Sequence, residues 1–163
     1  MVCGFGDAMI EVRGNLWTFP ADVRVITTNG AIRRDGRCVM GRGCALQATE
    51  RYPLIAKLLG DKIRHVGNIV HILRQPVTST DTVVGNGVTE WLVSFPVKHH
   101  WREKAGPALI EVSARTLAAF ADLEGWKAVV MPRPGCGNGH LNWTDVKPLL
   151  EPILDDRFHV ITY

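Results

Sequence analysis

This chain of 163 residues has no long basic run, no CxxC pair and no apolar stretch of bilayer length. Its charges are dispersed, so the net charge of +3 is compatible with a polyanionic partner without marking a nucleic-acid tail. Cys3, Cys38, Cys44 and Cys136 stand apart from one another, and the histidines show no ligand spacing around them. That pattern argues against a zinc site. No metal or other cofactor is expected, and reduced thiols in a cytoplasmic protein are the simplest reading. The opening segment MVCGFGDAMIEVRG lacks a basic n-region followed by an apolar h-region, so neither a signal peptide nor a membrane anchor is expected. Also missing are the GK[ST] ending of a P-loop, GxGxxG spacing, repeats, linkers and low-complexity tracts. The remaining composition, 46% hydrophobic and 21% charged, is that of an ordinary globule. One domain over residues 1–163, monomeric and with a full core, is expected.

Two glycine-rich stretches are the most informative feature present. The first is VMGRGCALQ, Val39 to Gln47, and the second is MPRPGCGNGHLNW, Met131 to Trp143. Each offers backbone N–H groups without Cβ interference, and each carries an arginine, Arg42 or Arg133. The helix expected after each would point its positive N-terminus at the loop. The pair therefore reads as a cradle for a diphosphate. GRG alone would also fit a tight connection into a helix. GCGNG costs more conformational entropy, for which close approach to a ligand is the usual compensation.

Apolar and β-branched runs predict strands at Met9–Arg13, Asp22–Thr28, Asn68–Leu73, Glu90–Phe95, Lys127–Met131 and Arg157–Tyr163. Helical patterns run from Gly43 to about Leu59, interrupted at Pro53, from Pro107 to Leu123, and from Asn142 to Leu154. Leu109, Val112, Leu117 and Phe120 supply much of the second helix's apolar stripe. Gly85–Gly87 reads as a hairpin turn, and Pro96 as the end of the fourth strand. The order β-β-α-β-β-α-β-α-β predicts an α/β sandwich around one sheet. Strands joined by turns make that sheet mixed. Ligands of such sheets bind beyond the carboxyl ends of the strands, close to both glycine-rich loops.

Asn29 follows a buried strand. It reads equally as a turn residue tolerating left-handed backbone or as an amide aimed at a sugar hydroxyl. Lys98 lies in SFPVKHHWREK, just past a strand end. A lysine there is ordinarily only solvated, but Phe95, His99, His100 and Trp101 beside it would lower its pKa and make it a proton donor or nucleophile. His99 and His100 are candidates for proton transfer or phosphate contact, with at most one facing a site. His71 and His159 read as core or edge histidines, His140 as a loop residue covering a ligand or filling a gap. Trp91, Trp126 and Trp143 read as packing residues.

TTNG at Thr27–Gly30, VMGRGCALQ, FPVKHHW at Phe95–Trp101 and PRPGCGNGHLNWTDVKPLL at Pro132–Leu150 together resemble a macrodomain. The resemblance extends over nearly the whole chain. It is closest to the branch of the DNA ADP-ribosyl glycohydrolase antitoxin DarG and the terminal ADP-ribose protein glycohydrolase. It implies a three-layer α/β/α sandwich with a mixed central sheet that binds ADP-ribose at the sheet crest. Asn15 and Leu16 would lie near the adenine. Thr28, Asn29 and Gly30 would contact the distal ribose. Met40, Gly41, Arg42, Gly43, Cys44 and Ala45 would enclose the diphosphate and ribose with Pro134, Gly135, Cys136, Gly137, Asn138, Gly139, His140 and Leu141. Lys98 aligns with the catalytic lysine of the DarG-like enzymes, with Asn29 positioning the ribose. Asn15 replaces the family's frequent aspartate. Gly139 stands where the branch's protein glycohydrolases carry a catalytic aspartate, which favours a lysine-led mechanism.

The implied activity is removal of ADP-ribose from DNA thymidine or, next, from protein carboxylates. A non-catalytic ADP-ribose reader and an ADP-ribose 1″-phosphate phosphatase are the alternatives. The loop AIRRDGR before the first glycine-rich stretch is longer than the family's connection. Its Arg33, Arg34 and Arg37 could reach a phosphate or nucleic-acid backbone, although a solvated loop is the simpler reading.

Overall fold

A computed structural model describes residues 7–76 and 90–162. Their elements run β1 (Ile10–Arg13), β2 (Val23–Asn29), α1 (Gly43–Arg51), α2 (Ile55–Val66), β3 (His71–Arg74), β4 (Trp91–Lys98), α3 (Pro107–Glu124), β5 (Val129–Pro132), α4 (Trp143–Leu150) and β6 (Phe158–Thr162). Cys3, the expected hairpin turn at Gly85–Gly87 and Tyr163 lie outside the described residues. The first helical stretch divides around Pro53 as expected. Tyr52 N–H closes α1 on the Ala48 carbonyl, and the chain restarts as α2.

The six strands form one sheet in the order β1-β6-β5-β2-β4-β3. Only β3, at one edge, is antiparallel to its neighbour, so the sheet is mixed. The expectation that turns join neighbouring strands holds for none of the chain's start. β1 and β2 are consecutive in sequence but not paired, because both run parallel and a short turn cannot connect parallel neighbours. Instead Gly14 N–H bonds the Thr162 carbonyl, and the chain crosses to the fourth position through a segment holding the fully buried Leu16.

The period of two along each strand sorts its side chains between two cores. Val23 and Val25, Val93, Phe95 and Val97, Val129 and Met131, and Phe158 and Val160 share one core with α3 and α4. Ile26, Leu92, Val130 and Ile161 share the other with α1 and α2. Burial on both faces explains why the strands read as nearly continuous apolar runs, and gives the three-layer α/β/α sandwich.

Three local expectations need correction. The buried stripe of α3 is Ile110, Ser113, Ala114, Leu117 and Ala121, whereas Val112 is exposed. Small residues let α3 approach the sheet, and Ser113 Oγ donates to the Pro96 carbonyl at 2.8 Å. Next, β4 does not stop at Pro96 but continues to Lys98. Pairing steps from Thr28–Pro96 to Asn29–Lys98, so Val97 is an extra, bulged residue, and β3 has already ended its pairing at Ser94. A proline's missing N–H is tolerated beside such a bulge. Last, α4 ends at Leu150 rather than Leu154, where Pro152 cannot extend the ladder.

Candidate functional site

The parallel strands β2, β4, β5 and β6 all end on one edge of the sheet, and a cleft of about 970 Å³ opens there. Its floor is Thr27, Thr28, Asn29, Val97, Lys98, Ile161 and Thr162. One wall is Val39–Ala45 with Gln47, the first glycine-rich loop and the first turn of α1. The other is Pro132, Arg133 and Gly135–His140, the second loop. The two walls meet where Asn138 Nδ2 lies 3.2 Å from the position a Cβ of Gly43 would occupy.

The β4 bulge makes Lys98 the sheet partner of Asn29, so the two residues singled out for chemistry stand side by side. Lys98 Nζ donates to the Trp101 carbonyl at 3.1 Å and the Asn138 carbonyl at 3.2 Å. An ammonium has three protons, so one is left for a ligand. Burial, then the nearby Arg42 charge, hold the Lys98 pKa below the usual lysine range, while Glu103 opposes them. The direction and the apolar part of the cause are as expected, but the cation is Arg42 rather than a histidine, because His99 and His100 do not line the cleft. His99 Nδ1 is taken by Asn68 Nδ2 at 3.0 Å, and His100 Nδ1 accepts from Arg102 N–H while its ring stacks on Trp101.

Asn29 is a strand residue without left-handed backbone. Its Nδ2 donates to the Val39 carbonyl and its Oδ1 accepts from Ala31 N–H, both at 2.9 Å. It therefore stitches the start of the first wall to the sheet, retaining one N–H and one lone pair. His140, with φ of 62°, is the non-glycine residue in the left-handed region among those described, and it lines the cleft. His71 is buried and bonded through Nε2 to the Gly67 carbonyl, a core histidine as expected. Trp126 is buried and packs edge-on against Trp91.

The glycines separate into two kinds. Gly135 and Gly139 are required by packing. A Cβ on Gly135 would crowd Ile110, Leu141 and Ala105. On Gly139 it would meet the Gly135 carbonyl oxygen at 2.5 Å and Ala105 at 2.7 Å. No aspartate fits at Gly139 in this loop. Gly41 and Gly137, one in each wall, are different: a Cβ on either would meet nothing within 4 Å, and neither backbone is left-handed. Nothing among the described residues calls for glycine at these two positions, whereas a ligand lying against both backbones would.

The lining carries Arg33, Arg42, Lys98, Arg102 and Arg133 against the single carboxylate of Glu103. The first turn of α1 contains no acidic residue, and its N-cap, Arg42, makes no side-chain bond to the free amides. An anion is therefore favoured on this side. No residue of α4 lines the cleft, so the helix-terminus contribution comes from α1 alone. Arg133 lies 5.0 Å over the Trp143 ring and 3.6 Å from Glu11, which Lys147 and Trp143 also hold.

Of the remaining expected ligand residues, Asn15, Leu16, Gly30, Pro134 and Leu141 lie outside the lining. Asn15 Oδ1 accepts from Trp17 N–H, and Gly30 packs against Asn68 and His99. Arg102, Glu103 and Thr162 join the site without having been singled out. A turn after β4 brings the first two, and the nonlocal pairing of β5 with β6 brings the third. Cys38, Cys44 and Cys136 are free thiols. Burial pushes Cys38 up to about 12 and raises Cys44 and Cys136. Among the described residues no group of three or more His, Cys, Asp or Glu could hold a metal ion, and no helix is long and apolar enough to cross a membrane.

No family model matches the chain. Known proteins do. The macrodomain of Mycobacterium tuberculosis DarG superposes with a TM-score of 0.74 at 24% identity, covering 97% of this chain and 99% of that one. Thermosipho africanus DarTG, solved in complex with ADP-ribose, superposes with a TM-score of 0.75 at 21% identity, covering 94% of this chain and 41% of that one. In sequence, a DNA ADP-ribosyl glycohydrolase of Thermus aquaticus is 27% identical over 148 residues, 88% of this chain and 37% of that protein. One from Mycobacterium bovis is 32% identical over 112 residues, 69% of this chain and 30% of that protein. The chain thus spans about a third of the length of these curated relatives. Sheet order, layers and crest cleft make the chain a macrodomain. By sequence it is DarG-like, similar to DNA ADP-ribosyl glycohydrolases over 88% and 69% of its length.

Proposed function

We propose that the crest cleft binds ADP-ribose and that the chain hydrolyses an ADP-ribosyl linkage, with modified thymidine in DNA as first substrate and modified protein carboxylates as second. The observation carrying this reading is the juxtaposition of Lys98 and Asn29 at the floor of a cationic cleft whose two walls expose Gly41 and Gly137. The relatives' activity on ADP-ribosyl DNA and the ADP-ribose complex of a structural neighbour support it.

In this reading the diphosphate lies between the walls, against the α1 amides and the lining arginines, which orient the distal ribose above Asn29 and Lys98. The Lys98 ammonium donates its third proton to the leaving base as the bond from the anomeric carbon breaks. Water adds to that carbon, and its proton is lost to solvent. Alternatively the neutral amine adds to C1″ of the opened sugar, the base leaves with a proton as its bond to that carbon breaks, and water hydrolyses the resulting Schiff base to free ADP-ribose and the amine. Lowering of the Lys98 pKa assists either route, since it makes the ammonium a stronger acid and the amine more available. The test is a panel of ADP-ribosylated DNA, glutamate, serine and arginine substrates given to wild type and Lys98→Ala. Release from DNA by wild type and not by the variant is expected. Tight ADP-ribose binding with no release from any substrate would make the chain a reader.

A further inference from the structure

The cleft does not exhaust the chain's cationic surface. The loop Arg33–Arg37 forms a tight turn, with Gly36 N–H bonded to the Arg33 carbonyl and Arg33 N–H to the Arg37 carbonyl. It is seated on α2. Cys38 N–H bonds the Ala56 carbonyl, and a Cβ at Gly60 of α2 would overlap the Gly36 carbonyl oxygen. Glycine at position 60 is thus what lets the loop lie directly on the helix. Seating places Lys57 Nζ and an Arg64 guanidinium nitrogen 2.7 and 3.4 Å from the Gly36 Cβ position. Arg33, Arg34, Arg37, Lys57 and Arg64 are all exposed, and among the described residues Asp35 and Asp61 offset them, pairing with Arg37 at 4.0 Å and Lys57 at 3.2 Å. Arg33 also lines the cleft, so this basic surface is continuous with its mouth.

We propose that the Arg33–Arg37 loop and α2 form a track for the phosphate backbone of a nucleic-acid strand whose modified nucleotide enters the cleft. The proposal rests on the ADP-ribosyl-DNA reading above and adds a partner surface to it. A solvated loop would have no need to be pinned on a helix with its cations gathered at one end of a cleft. A nucleic acid fits better than an acidic polypeptide because Trp101, 45% exposed, also lines the mouth with the Arg102 guanidinium 4.7 Å over its ring, and such an arginine–aromatic stack offers a base a flat cationic surface. Cations along the backbone together with an aromatic–arginine stack at the mouth are what single strands use.

The test compares wild type with an Arg34→Gln/Arg37→Gln/Arg64→Gln triple variant, which leaves every cleft-lining residue in place. Two substrates are used, an ADP-ribosylated thymidine nucleoside and the same nucleotide within a single-stranded oligonucleotide. KM for the oligonucleotide should rise roughly tenfold at low salt, with a flatter salt dependence, while the nucleoside is processed as by wild type. Equal effects on both substrates, or on neither, would overturn the track. Anisotropy with an unmodified labelled oligonucleotide and a polyglutamate peptide reads the track without catalysis. Weaker oligonucleotide binding by the variant supports it even if no ADP-ribose is ever released. Loss of peptide but not oligonucleotide binding would assign the surface to an acidic protein instead.

Discussion

Gly137 and Gly139 sit two residues apart in one loop, yet alanine should act oppositely at the two. At Gly137 a Cβ meets nothing within 4 Å and the backbone is not left-handed. Alanine there restricts the unfolded chain without straining the folded one, worth about 0.4–1 kcal/mol of stability. In a domain of this size that is a Tm rise of about 1–4 °C. The same methyl group occupies open space on the cleft wall, where a diphosphate would approach the backbone. ADP-ribose affinity should therefore fall at least roughly tenfold, about 1.4 kcal/mol. At Gly139 the methyl group would run into the Gly135 carbonyl oxygen at 2.5 Å and Ala105 at 2.7 Å. Backbone on one side and a buried side chain on the other give little room to yield, so overpacking should cost about 1–3 kcal/mol and lower Tm by several degrees. Thermal melts and calorimetric titration with ADP-ribose on both variants read the two effects separately. Gly137→Ala binding as tightly as wild type, or melting as far below it as Gly139→Ala, would refute the division of these glycines into ligand-facing and packing kinds.

Further outcomes follow from charge. Arg42 lowers the Lys98 pKa and Glu103 raises it. Arg42→Gln should therefore move the Lys98-dependent limb of a kcat–pH profile upward, and Glu103→Gln should move it downward. If that limb falls as pH rises through the lysine pKa, the ammonium is the working form; a limb that rises marks the amine. Shifts in the opposite directions would show that the limb belongs to another group. Away from the cleft, buried Arg24 pairs with Glu90 at 2.7 Å. Glu90→Gln leaves that guanidinium without its counter-charge and, with Glu90 partly exposed, should cost about 1.5–3 kcal/mol in urea melts, against less than about 0.5 kcal/mol if the pair contributes nothing.

Much of the fold was legible because burial on both faces leaves continuous β-branched runs, as in β2 and β5, and because Pro53 and Pro107 mark helix boundaries. Sheet order was not legible, since the pairing of β1 with β6 joins segments from opposite ends of the chain. Pro96 misled for a local reason, as the bulge at Val97 tolerates a proline that regular pairing would reject. In the site, glycine content pointed to the walls. It did not separate Gly137, where an added Cβ would point into open space, from Gly139, packed on Ala105, because that difference depends on where α3's leading segment lies. The neighbours of Lys98 in sequence proved a poor guide to its electrostatics. Arg42, distant along the chain, acts on it, whereas adjacent His99 turns away to Asn68.

The most direct measurement of the central claim is the single-turnover rate of ADP-ribose release from an ADP-ribosylated thymidine oligonucleotide, by wild type and Lys98→Ala, beside calorimetry with free ADP-ribose. Lys98 makes only two carbonyl bonds at the cleft floor, so the variant should still bind ADP-ribose within a few-fold of wild type. Its rate should fall by about 10²–10⁴. A variant that binds normally and releases ADP-ribose as fast as wild type would contradict the assignment of the chemistry to Lys98.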